Sequence, residues 1–177
     1  HFDTPIWVII LLLIGFSCIA VSRSIYRKRF NMLLKTLTNW KLSKQIIRYE
    51  KVYTHPMNVL MTFNFIISLP LFFSLVYFKL FNPDVTIEKQ YLFLLFPLVL
   101  YLFVKIAFYK FSGWLWNEKG VIEEYLFQSN LFNKFAGAGF LILTSMVVYS
   151  PISIFKIAQL GLILLGLLAL FQLIRGV

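Results

Sequence analysis

The residues of this chain that could do chemistry are few and scattered. Lys105 lies inside a long apolar run, and Tyr109 follows it one helical turn later on the same face. A lysine in such a run can hold an intramembrane charge or line a polar path. It can equally snorkel its long arm to the headgroups, with Lys110 beyond it in the interface. A third reading pairs Lys105 with a carboxylate on a partner subunit, since this chain's own apolar runs hold no Asp or Glu. Asn64 is a second polar group in an apolar run, where an amide ordinarily bonds across a helix contact for about 1 kcal/mol. Gln159 and Gln172 read the same way.

Other candidates are weaker. His55 precedes Pro56 at the edge of an apolar run and reads as a surface residue before a base or a ligand. Glu123 and Glu124 could pair as acid and base, but neighbours on a helix point about 100° apart, which suits a solvated charge cluster better. Cys18 is the only cysteine, so neither an internal disulfide nor a thiolate metal site can form. No HExxH, GxSxG or Gly-rich phosphate loop occurs. These residues lead us to expect no enzyme, no cofactor and no metal.

The elements that must position them are set by composition. Hydrophobic residues make up 60% of the 177 and charged residues 14%, against about 45–50% and about 25% in ordinary soluble domains. So few polar residues cannot cover so apolar a chain in water, whereas lipid can. The formal charge of +10 raises nucleic-acid binding. Its distribution argues against that, because nine of the seventeen basic residues fall between Arg23 and Lys51, beside the first apolar run. A basic block there sets topology and meets anionic lipid.

A span needs about 20 apolar residues. The sequence predicts one all-α transmembrane domain, a polytopic helical bundle over 1–177 with five spans at about 5–21, 58–78, 91–116, 131–149 and 154–174. Pro5 and Trp7 open the first span, and Pro70 should kink the second. Lys79–Lys89 reads as an outside loop, and Asn117–Glu124 as an acidic stretch between spans three and four. Ala136-Gly137-Ala138-Gly139 is a packing face, with Asn64, Gly137 and Gly139 as candidate helix contacts.

Residues of about 30–51 alternate apolar and basic faces at helical spacing, a basic amphipathic helix on the cytoplasmic membrane surface; docking on a partner protein is the other reading. Candidate lipid or partner contacts are Arg23, Arg27, Lys28, Arg29, Lys35, Trp40, Lys105, Tyr109 and Trp114. The positive-inside rule then puts the N-terminus in the periplasm and residue 177 in the cytoplasm. The first apolar run precedes its basic residues, unlike a cleavable signal, and the opening at His1 in place of Met implies residues upstream.

The run Lys105-Ile-Ala-Phe-Tyr109-Lys-Phe-Ser-Gly113-Trp114-Leu-Trp116-Asn-Glu-Lys119, followed by Glu124-Tyr125-Leu126-Phe127, resembles a Bacteroidota membrane-protein family catalogued as domain of unknown function 4271. Trp7, the Arg23…Tyr26…Arg29-Phe30 segment and Asn64-Phe-Ile-Ile-Ser68-Leu are similar to it as well. The likeness covers nearly the whole chain through loose, mostly apolar motifs. It implies a bacterial inner membrane, no established activity, and one more apolar segment beyond Arg175-Gly176. Restriction to that phylum points by association to protein secretion or gliding motility.

The expected function is therefore a non-catalytic inner-membrane subunit that anchors or stabilises a larger envelope complex. Its partners would be anionic lipid headgroups and other membrane subunits, not nucleic acid. The alternative is a small transporter or channel with a polar path including Asn64 and Lys105.

Overall fold

The computed structural model describes residues 5–38, 55–81, 86–115, 119–149 and 153–175. Pro5, at φ −57° and ψ 139°, opens α1 (Ile6–Ile25), and its carbonyl accepts the Val8 N–H. Tyr26 leaves the helical repeat at φ −111° and ψ 36°. The chain re-enters a helix at once in α2 (Arg27–Thr38), where Phe30 N–H donates to Tyr26 O. α3 (Pro56–Phe81) begins with a proline, whose missing N–H would have had no helical partner. His55 caps it, its Nδ1 accepting the Met57 N–H and its carbonyl the Asn58 N–H. α4 (Ile87–Leu115), α5 (Lys119–Tyr149) and α6 (Ile154–Arg175) complete the chain.

Every element among the described residues is a helix, and five are long and apolar enough to cross a membrane. The all-α bundle expected from composition is thus what the chain forms. Several boundaries differ from those the hydropathy suggests, because charged residues do not end a helix that neighbouring helices continue to hold. α1 runs on through Arg23. α3 passes through Pro70 and keeps Lys79 inside the helix as far as Phe81, and α4 begins at Ile87, so both helices reach into the expected loop at Lys79–Lys89. α5 begins at Lys119, which makes Glu123 and Glu124 part of a helix and not of a loop. Of the helix expected at about 30–51, α2 accounts for the first part; Trp40 and the remainder lie outside the described residues.

The five long helices alternate in direction. At one end Trp7 of α1 meets Tyr91 of α4, ring centroids 5.6 Å apart, and Lys79 Nζ of α3 donates to Val147 O near the C-terminus of α5. At the other end Tyr26 meets His55 at 4.9 Å, and Phe132 of α5 stacks on Phe171 of α6 at 4.6 Å. α3 and α5 form the centre: 61% of the most apolar stretch of α3 is buried, against 6% for α4 and 11% for α6.

Lipid tails are as apolar as leucine, so helices associate in a membrane through close packing and not through water exclusion. That packing is visible in a triangle of Phe72, Phe73 and Phe140 with centroids 5.2–5.9 Å apart, backed by Leu71, Leu75, Val8 and Leu141. Two buried span hydroxyls bond within their own helices: Ser74 Oγ donates to Leu71 O and Thr144 Oγ1 to Phe140 O.

Candidate functional site

The end of the bundle that gathers Tyr26, His55 and Phe132 also gathers most of the described cations. α2 folds back from α1 and inserts Leu33, 1% exposed, among Met57, Phe127 and Leu131. Phe30 pins the start of α2 by an edge contact with Phe135 of α5 at 5.9 Å. With that apolar face committed, the polar face turns out: Arg27, Lys28 and Lys35 are exposed, and Arg23 is exposed on the last turn of α1. Thr36 is buried and donates to Leu33 O. α2 is therefore a docked element of the bundle whose outer face is basic.

Arg29 is the exception on that helix. It is half-buried and lies within electrostatic range of Lys134 on α5. Lys134 is only 5% exposed, and its Nζ sits 5.8 Å from the ring of Phe127, two turns back on the same helix. Sequence reasoning passed over Lys134. The available signal was a lysine just inside the start of the expected fourth span, next to Asn133. Asn133 is itself buried, and its Oδ1 accepts Nε2 of Gln172 on α6 at 2.7 Å.

Lys105 and Tyr109 are both half-buried on one face of α4. The ammonium lies over the ring of Tyr101, one turn back, at 5.8 Å, the direction in which helical side chains lean. Trp114 is exposed near the C-terminus of α4, its ring 6.0 Å from that of Phe111. Asn64 lies elsewhere, fully buried on α3 against Gly15 of α1 and Leu141 of α5. Neither its Oδ1 nor its Nδ2 has a hydrogen-bond partner among the described residues, so this amide packs across the helix contact without bonding across it. Gln159 is exposed.

Gly137 lies against the backbone of Phe65, and Gly139 against the side chain of Leu164. A groove of about 340 Å³ runs between α1 and α3, lined by Ile10, Leu13, Ile14, Ser17, Cys18, Val21 and Leu60. It is apolar and borders neither Asn64 nor Lys105. Among the described residues no three His, Cys, Asp or Glu side chains come together. What this arrangement can do is hold charge and surface: a basic outer rim on α1 and α2, a buried cation beneath it, and a long aromatic flank on α4.

The family model described as Domain of unknown function (DUF4271) matches residues 8–177. No curated protein and no solved structure matches the chain.

Proposed function

Since the chain belongs to the DUF4271 family, whose members have no assigned activity to inherit, we propose from its geometry that it is a non-catalytic subunit that anchors a larger complex in the bacterial inner membrane. The observation that carries this reading is α4. It is long enough to span, yet only 6% of its most apolar stretch is buried within this chain. Phe93, Phe96, Tyr101, Phe103, Phe108 and Phe111 all stand exposed along it. Large rigid aromatics favour a second helix, because each aromatic contact adds about 0.5–1.5 kcal/mol beyond what area alone gives.

The exposed Arg23, Arg27, Lys28 and Lys35 support a second contact, with the anionic cytoplasmic leaflet, at about 1 kcal/mol per basic residue near the surface. The positive-inside rule then supports a periplasmic N-terminus. Protein secretion or gliding motility is the setting that the family resemblance suggests for such an assembly.

Purification of the tagged chain from native membranes in mild detergent tests the reading. The expected result is one or more stoichiometric membrane partners, lost when Phe96 and Phe103 are both changed to Ala while the chain itself stays folded. A chain that runs alone and monodisperse after extraction overturns it.

A further inference from the structure

The groove between α1 and α3 follows one stripe of α1. Ile10, Ile14, Ser17 and Val21 recur at spacings of four, three and four residues, which sets them on a single helix face. Ser17 and the buried Cys18 interrupt this row of larger apolar side chains and give the groove its depth, with Leu60 of α3 facing them. From Ile10 to Val21 the stripe runs about 16 Å at the helical rise, which is about half the hydrocarbon thickness of a bilayer. Its two ends differ. Val21 stands two residues before Arg23, and Leu60 lies in the second turn of α3, so the groove reaches the basic end of the bundle. Ile10 lies a full turn inside α1, so the groove stops short of the opposite end.

That length and placement decide between two occupants. A partner's transmembrane helix needs the full thickness of the bilayer, whereas one acyl chain fills a single leaflet. A groove of half depth, open at one membrane face and closed before the other, fits the acyl chain. Seated there, the chain touches protein on several sides, and many small dispersion contacts add up. Its headgroup then stands at the level where α1 passes into α2. Arg23, Arg27 and Lys28 are all exposed at that level, so the end of the groove is complementary to an anionic headgroup, and each basic residue strengthens the attraction. We propose that the α1–α3 groove binds one anionic phospholipid, with an acyl chain along Ser17 and Cys18 and the headgroup phosphate among the basic residues of α1 and α2. The proposal rests on the leaflet contact inferred above and sharpens it from a diffuse attraction to one bound molecule. It is independent of any partner subunit.

Native mass spectrometry of the full chain tests it, after equilibration in neutral detergent with equal amounts of phosphatidylglycerol and phosphatidylcholine. A single bound phosphatidylglycerol is expected, favoured about tenfold over phosphatidylcholine. Ser17→Phe fills the groove and should lower that retention severalfold, while Leu162→Phe on the exposed face of α6 should leave it unchanged. Arg27→Gln combined with Lys28→Gln should bring the two lipids toward parity, and Lys156→Gln at the opposite end should not. If Ser17→Phe does not fold, Ile14→Trp takes its place. Phosphatidylglycerol retention that survives a filled groove overturns the proposal and leaves the diffuse leaflet contact standing. Equal retention of the two lipids by the unaltered chain overturns both.

Discussion

Gly137 on α5 stands so close to Phe65 on α3 that a Cβ in place of its hydrogen would lie 2.7 Å from the Phe65 Cα and 2.9 Å from its nitrogen. The obstruction is backbone, which cannot rotate away as a side chain can. Gly137→Ala must push the two central helices apart and is expected to cost about 1–3 kcal/mol. Denaturant titration in detergent micelles, followed by tryptophan fluorescence, measures it; an unchanged midpoint would show that α3 and α5 do not meet at this point.

Gly166 on α6 is the control for that experiment. Nothing lies within 4 Å of where its Cβ would stand, so alanine meets no obstacle and removes backbone freedom. Gly166→Ala should be neutral or stabilising by up to about 1 kcal/mol in the same titration. A loss comparable with that of Gly137→Ala would mean that α6 packs against something on this face.

Asn64 carries a sharper test because two effects oppose. Its buried amide has no hydrogen-bond partner among the described residues, and leaving such a group unmet costs about 1–3 kcal/mol. Alanine removes that penalty but opens a space beside Gly15 and Leu141. The two should nearly cancel, so Asn64→Ala is expected to change stability by less than about 1 kcal/mol. A loss above about 2 kcal/mol would show that the amide makes a strong hydrogen bond after all.

Much of this molecule was legible from residue order. Five apolar runs gave five long helices, Pro5 marked a helix start, and the Gly137 position lies where a second backbone comes close. Helix ends were less legible, because hydropathy reports where lipid begins and not where hydrogen bonding stops. Lys79 illustrates this: its charge suggested a loop, yet it stays in α3 because its ammonium bonds a carbonyl in the last turn of α5, where a helix presents bare acceptors. Lys134 was missed for a related reason. A lysine near the edge of a span resembles any interfacial lysine until the fold shows that α2 covers it, and that covering is a long-range contact no local pattern contains.

The pairing of Asn133 with Gln172 joins two side chains across long helices, Nε2 to Oδ1 at 2.7 Å, and it ties α6 to the bundle beside the Phe132–Phe171 stack. α6 buries little else, so this contact should matter more there than it would on α3. Interhelical hydrogen bonds in membranes average about 0.6 kcal/mol in double-mutant cycles. Asn133→Ala and Gln172→Ala are each expected to destabilise the chain, Asn133 more so because it is buried and Gln172 is half-exposed. The double variant should lose less than the sum of the two single losses, by about 0.5–1.5 kcal/mol. Equilibrium unfolding of the four proteins in one detergent supplies the cycle. Strict additivity would mean that the two amides do not bond to each other.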